Sequence, residues 1–212
     1  MSEPQNMPGT VLSGRYQLDQ LRLEVVGSST GVLQYDATDL SSLEAISVRI
    51  VALSQLIDTA LGSTTPDEAL AAFEQQFDIA SSLRHPCIEF VRDHGQVTFE
   101  GERYVFVVGE RLAGGSLREF LDRGRRLTPS QALIVGIDVC RALDAAAKQG
   151  ISHSDLRPSR LVFGLDRRVR LVGFGAPLRP LDALGLEQAT YSAPELADGG
   201  ARGSSSDVYS LA

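Results

Sequence analysis

Lysine is nearly absent from this chain: Lys148 is the only one, and the rest of the 20 basic residues are arginines. Chemistry that needs a lysine amine therefore finds none anywhere ahead of residue 148. Cysteine is almost as scarce. Cys87 and Cys140 stand far apart in apolar surroundings, which argues against a disulfide or a metal pair and for buried packing thiols. No apolar run approaches the ~20 residues that cross a bilayer. Met1 to Gly14 lacks the basic and then apolar regions of a secretory leader. A cytoplasmic location is the expectation, either for a soluble protein or for the cytosolic part of a longer, membrane-anchored one. Positive charge is not in surplus. A net charge of −7 argues against a nucleic-acid partner and against membrane contact by this segment, since both select a basic face.

What is present is ordinary for a globular protein. At 212 residues and 43% hydrophobic content the chain can bury a substantial core, in one or two compact domains. Residues 1–13 are polar, contain two prolines and show no periodicity, so a disordered tail is expected there. From Tyr16 to Val51 short alternating or β-branched runs (Tyr16–Val26, Val32–Ala37, Ala45–Val51) are separated by turn clusters, which reads as a three-stranded antiparallel meander. A loop follows, then a helix start: Thr65 can cap, Pro66 suits the first helical position, and Asp67 and Glu68 favour the positive end of the dipole. Leu70, Phe73, Phe77, Ala80 and Leu83 continue at helical spacing. Two strands, Ile88–Asp93 and Arg103–Val108, close the β-rich part. Beyond Gly114-Gly115 the pattern turns helical. Ser116–Arg123 is a short helix, and Thr128-Pro129 opens a long one that Gly150 ends. Two short strands, Arg160–Phe163 and Val169–Val172, follow, and a last helix begins at Ser206. A β-rich lobe carrying one helix, then a mainly helical lobe, is an α+β architecture with a cleft expected near Glu110–Gly115.

The residues at the junctions carry a resemblance. The run Gly150-Ile151-Ser152-His153-Ser154-Asp155-Leu156-Arg157-Pro158-Ser159-Arg160 resembles the catalytic loop of protein kinases. Gly114-Gly115-Ser116-Leu117 resembles the segment after the interlobe hinge. Val172-Gly173-Phe174-Gly175 stands where the family has Asp-Phe-Gly, and Tyr191-Ser192-Ala193-Pro194-Glu195 matches the Ala-Pro-Glu end of its activation segment. Ser206 to Leu211 resembles the start of the central helix of the large lobe. Leu83-Arg84-His85-Pro86 is similar to the end of the regulatory helix, especially in bacterial Ser/Thr kinases. Each tripeptide is weak alone, but the ordered set covers residues 14 to 212 in register. The resemblance implies a bilobal kinase-like fold, with residues 14–109 as the small lobe and 110–212 as a partial large lobe. In the family more helices follow, including an arginine that pairs with the residue at Glu195. A fragment of a longer protein is the expectation; an incomplete large lobe exposing apolar surface is the alternative.

Phosphoryl transfer is mostly positioning and charge neutralisation, so the residues at the family's charged positions matter most. The three glycines of the phosphate loop fall on Gly27, Ser29 and Val32, and the valine that caps adenine falls on Gln34. One glycine of three remains, which fits a plain hairpin better than a phosphate cradle. Ile46 to Ile50 resembles the Val-Ala-Ile-Lys strand with Arg49 in the lysine's place. Arginine is longer, planar and forked, so the exchange is not conservative. A lysine from a neighbouring strand cannot substitute, because the small lobe has none. Drift of lysine to arginine throughout the chain would explain both Arg49 and Arg157, which stands where the family's lysine contacts the transferred phosphate. The glutamate partner of the strand lysine falls on Gln76, either a neutral hydrogen-bond partner of Arg49 or a surface residue. Asp155 keeps the family's base position, as a working base or as a structural acceptor. Its neighbour Ser154 replaces the arginine that would pair with a phosphorylated activation segment. The hinge falls on Glu110-Arg111-Leu112, with Gly109 as gatekeeper, or Val108 if the register shifts by one. The activation-segment threonine is Gln188.

The two metal-ligand positions are the clearest departure: they hold Arg160 and Gly173. Mg²⁺ needs hard oxygen ligands in a near-octahedral shell, and neither residue supplies one from its side chain. Arg160 either joins Arg49 and Arg157 in neutralising phosphates without metal, or points to solvent or pairs with Asp166. The reading is a catalytically impaired pseudokinase domain acting as a regulatory or scaffolding protein-binding module. It requires no cofactor, with ATP possible and Mg²⁺ disfavoured. The alternatives are a Mg²⁺-independent nucleotide or anion sensor, and an atypical but active Ser/Thr protein kinase.

Overall fold

A computed structural model describes residues 7–24, 32–59, 65–174, 186–197 and 203–212. The chain divides into two compact units, Met1–Phe77 with Val91–Arg111, and Asp78–Phe90 with Leu112–Ala212.

The first unit is built on one antiparallel sheet of six strands in the order β1-β2-β3-β4-β6-β5. These are β1 (Val11–Leu12), β2 (Tyr16–Glu24), β3 (Leu33–Asp39), β4 (Glu44–Ala52), β5 (Val91–Phe99) and β6 (Glu102–Glu110). The expected meander is present as β2–β3–β4. In β3 burial alternates strictly, with Leu33, Tyr35, Ala37 and Asp39 inward, because successive side chains point to opposite faces. One face packs Leu18, Tyr35, Ile46, Val48, Ile50, Phe106 and Val108 into a continuous core. On the other, Val51 and Val105 pack with Leu53, Leu56, Ala69 and Phe73 of two helices, α1 (Leu53–Thr59) and α2 (Pro66–Ser82). Asp39, fully buried at the end of β3, accepts from Arg15 Nε and Nη2 at 2.9 and 2.7 Å.

Two expectations need correction here. Residues 7–13 are not part of a disordered tail: Met7 is fully buried, and Val11 and Leu12 pair with Gln17 and Tyr16. Met7 and Leu12 are spaced too irregularly to show a period, yet both fit under the end of the sheet. The loop expected after β4 contains α1, too short for periodicity to reveal. The cap of α2 is as expected. Thr65 N–H donates to Glu68 Oε2 (3.1 Å) and Glu68 N–H to Thr65 Oγ1 (3.3 Å), a reciprocal pair that satisfies two end donors.

The second unit takes in the last turn of α2 and the segment up to Phe90, so the lobe boundary does not run cleanly at residues 109 and 110. Leu83, Cys87 and Ile88 pack with Val139, Ala142, Leu161 and Leu171. Leu171 N–H donates to Cys87 C=O (2.8 Å) and Glu89 N–H to Leu171 C=O (3.0 Å). The expected strand at Ile88 therefore starts only at Val91. Helix α3 (Leu117–Asp122) is capped by Ser116, and α4 (Pro129–Ala147) by a Thr128–Gln131 box. Gly150 turns the chain at φ +73°, a conformation that costs glycine nothing. The hairpin β7 (Leu161–Phe163) and β8 (Val169–Leu171) follows, then α5 (Leu186–Tyr191), α6 (Pro194–Ala197) and α7 (Ser204–Leu211).

Helix α4 is apolar nearly all round, which explains a further correction. Val139, Ala142 and Ala146 take the core, leaving Leu133, Ile137 and Cys140 exposed. Only Cys87 is a buried thiol. Burial first, then the charge of Asp138, pushes it up. Asp138 is itself buried and accepts from Arg168 Nη2 at 2.7 Å.

Candidate functional site

The loop from His153 to Arg160 is held from two sides. The Asp207 carboxylate, in the first turn of α7, accepts from the backbone N–H of His153 (2.8 Å) and of Ser154 (2.6 Å). Burial pushes the Asp207 carboxyl up, and these two bonds pull it back. On the other side the His153 ring lies buried, edge-on to Phe174 with centroids 4.7 Å apart. Its Nδ1 accepts from Asp155 N–H (3.2 Å), which leaves Nε2 as the donor to Val172 C=O (3.1 Å). A ring that must accept at one nitrogen is neutral, and burial pushes its pKa down to about 4. His153 and Asp207 were not among the candidate site residues. Both stand in quoted motifs, but nothing in the spacing joins residues 54 apart.

Asp155 is the centre of the site. Its side chain retains 5% exposure and is gripped by two guanidinium groups. Arg157 donates from Nε to Oδ1 at 2.9 Å. Arg160 donates to Oδ2 from Nε at 2.8 Å and from Nη2 at 2.6 Å. Burial raises the Asp155 carboxyl, but the charges of Arg160 and Arg157 outweigh it and hold the group below the ordinary carboxylate value. The solvent-facing and the Asp166-paired placements of Arg160 are thereby overturned. It neither points to solvent nor pairs with Asp166, which pairs with Arg170 at 2.9 Å. The cause is the 3-10 turn Pro158–Arg160, which brings residue 160 back over Asp155.

Gly173 lies against the same arginine. Its φ is +92°, and a Cβ placed there would lie 3.1 Å from Arg160 Nη1 and 3.3 Å from Cζ. A side chain at 173 would press on the guanidinium, and the positive φ itself favours glycine there. Among the described residues no group of three metal-ligating side chains is found. Glu195 accepts from Ser206 Oγ at 2.9 Å, and Gln188 lies in α5.

The remaining candidates belong mostly to the first unit. Arg49 sits half-buried on β4, opposite Gln34 and Val107. On the same face Gln34 Nε2 donates to Ser47 Oγ at 2.9 Å, so polar groups stand at the positions where the resemblance expects valine and alanine. Gly109 pairs with Ser47 on that face, whereas Val108 is buried in the core on the opposite one. Gly109, and not Val108, thus shares the face that carries Ser47 and Arg49. Glu110 ends β6, Arg111 pairs with Asp36 at 2.8 Å, and Leu112, buried, is where the chain re-enters the second unit. Gly27 and Ser29 lie outside the described residues, as does the side chain of Gln76, whose backbone is in α2.

Comparison with known proteins agrees with the motif order. The family model described as the protein kinase domain matches residues 47–212. A probable serine/threonine-protein kinase of Streptomyces coelicolor is 28% identical over 218 residues, covering 99% of this chain and 30% of that protein. The serine/threonine-protein kinase PknB of Mycobacterium leprae is 30% identical over 146 residues, 66% of this chain and 24% of its own length. A probable serine/threonine-protein kinase of Corynebacterium efficiens is 33% identical over 146 residues, 65% of this chain and 22% of that one. The chain thus spans less than a third of the length of these relatives.

Proposed function

Because the chain belongs to the protein kinase domain family, we propose that it is a catalytically impaired member, a pseudokinase domain that acts as a regulatory or scaffolding module by binding a partner protein. The observation that carries this reading is the Asp155 carboxylate held between Arg157 and Arg160. A general base must take a proton from the substrate hydroxyl, and a guanidinium on its oxygens competes for the same lone pairs. Here both oxygens already accept from guanidinium groups, which also make the carboxylate a weaker base.

The family resemblance also implies Mg²⁺, and the residues at its position do not fit that ion. Gly173 has no side-chain oxygen, Arg160 carries a positive charge, and the nearest carboxylate is engaged by that same arginine. Each missing electrostatic stabiliser typically costs a factor of ~10²–10³ in rate. A second reading, Mg²⁺-independent binding of a nucleotide or other anion, is favoured by one feature: two guanidinium groups share one carboxylate, leaving the cluster net positive. The relatives are named as serine/threonine kinases, and an active kinase is the competing class.

Transfer of labelled γ-phosphate from ATP decides between the impaired and active readings. The assay uses the chain itself and a general basic protein as acceptors, with Mg²⁺ or Mn²⁺ present. The expected result is incorporation no higher than that of the Asp155→Asn variant. Incorporation that the variant abolishes would make this an active kinase.

A further inference from the structure

We infer that Arg160 and Gly173 are one replacement rather than two: the Arg160 guanidinium is the resident cation of this site, and Gly173 is the residue that leaves it room. This rests on the impaired-kinase reading for its setting and goes beyond it by naming what stands in the metal's place. Val172 N–H donates to Arg160 C=O at 2.9 Å, so residues 160 and 173 are brought side by side at the open end of the β7–β8 hairpin. One side of the guanidinium lies over the glycine. A Cβ there would meet Nη1, Cζ and Nε at 3.1, 3.3 and 3.4 Å, tighter than ordinary side-chain contact. The opposite edge, Nε and Nη2, holds Asp155 Oδ2. A carboxylate side chain at 173 would meet the guanidinium at its first atom, and a divalent ion would compete with it for the same Asp155 oxygen.

A covalently attached cation differs from a bound one in a way that matters for a regulatory module. It neither dissociates nor varies with the supply of magnesium or nucleotide, so the His153–Arg160 loop does not depend on either for its geometry. Neither position can be reverted alone. Gly173→Asp presents its carboxylate to Arg160, which captures it as an ion pair. Arg160→Asn removes the cation but leaves glycine opposite, too few oxygens for a metal shell. Only the double change puts an amide oxygen and a carboxylate on adjacent positions with no guanidinium between them.

Mn²⁺ titration followed by electron paramagnetic resonance, without nucleotide, tests this on the full chain and its variants. The wild type and both single variants are expected to show no saturable site. Arg160→Asn/Gly173→Asp is expected to gain one, about tenfold or more tighter than either single variant. Binding by the wild type or by Gly173→Asp as tight as that of the double variant overturns the inference. So does a folded double variant that binds no Mn²⁺. Should the double variant not fold, Arg160→Ala decides. Its lowered melting temperature, compared with wild type in the same additive, is partly restored by millimolar ethylguanidinium if a guanidinium fills this place, and an unchanged deficit overturns the proposal. Phosphate transfer by the wild type would sink the impaired-kinase reading, while a Mn²⁺ failure would sink only this inference.

Discussion

Replacing Asp155 by asparagine is expected to destabilise the protein by about 3 kcal/mol, because it removes the buried carboxylate that both Arg157 and Arg160 hold. Breaking a buried ion pair from one side typically costs ~3–5 kcal/mol, since the remaining charge is left uncompensated. The lower end applies because the two arginines keep 20% and 28% of their exposure. For a chain of this size the loss corresponds to a fall of roughly 6–12 °C in the unfolding transition. Differential scanning calorimetry of the wild type and Asp155→Asn reads it directly. A carboxylate retained for catalysis behaves differently, because residues held for chemistry commonly cost stability and their removal is neutral or stabilising. An unchanged or raised transition in Asp155→Asn would therefore count against the locked site, independently of any assay of phosphate transfer.

Acidification is expected to weaken the fold well above the usual carboxylate range, through His153. Its ring is neutral in the native state, with a pKa pushed down to about 4 by burial. In the unfolded chain a histidine titrates near ~6.5. Above that pH neither state binds the proton, and the stability is fully present. As the pH falls from ~6.5 towards about 4 the unfolded state is protonated and the native state is not. Stability then drops by up to ~1.4 kcal/mol per pH unit, about 3 kcal/mol in all. As the pH falls through the usual carboxylate range a second loss begins, because Arg15, Arg168 and the Arg157–Arg160 pair hold Asp39, Asp138 and Asp155 below their ordinary values. Asp207, raised by burial, acts with the opposite sign above its ordinary value and so offsets part of the histidine's loss. Urea midpoints between pH 7.5 and 4.5, for the wild type and His153→Gln, isolate the histidine. The variant should be less stable at neutral pH and show a shallower slope. Equal slopes would contradict a neutral, buried His153.

The secondary structure was readable where local chemistry decides it. Thr128-Pro129 and Gly150 frame α4 by capping and by a left-handed turn, and the β2–β4 meander follows from period-two burial in Leu33, Tyr35 and Ala37. Contacts between distant residues were not readable. The burial of Met7 depends on its place in the core with Leu12 and Leu18, which no local pattern describes. The reassignment of Asp78–Phe90 follows from what Leu83 and Cys87 touch, while the helical periodicity of α2 continues unbroken past Phe77. At the site, Arg160 and Gly173 stood out because the family resemblance says which residues to expect there. What the arginine does instead depended on the turn at Pro158, which points it back to Asp155 five residues earlier and not on to Asp166. Asp207 joins His153 across 54 residues of sequence, and only the folded chain brings them together.

The most direct test of a kinase fold without its metal is thermal unfolding with saturating ATP, run once with Mg²⁺ and once with a chelator. A ligand at 100 times its Kd adds ~2.7 kcal/mol of stability. For a chain of this size that is a shift of roughly 5–10 °C, easily resolved. The expected result is the same melting temperature in both runs, because Arg160 and Gly173 give Mg²⁺ nothing to bind. A shift that appears with Mg²⁺ and disappears in the chelator would contradict it.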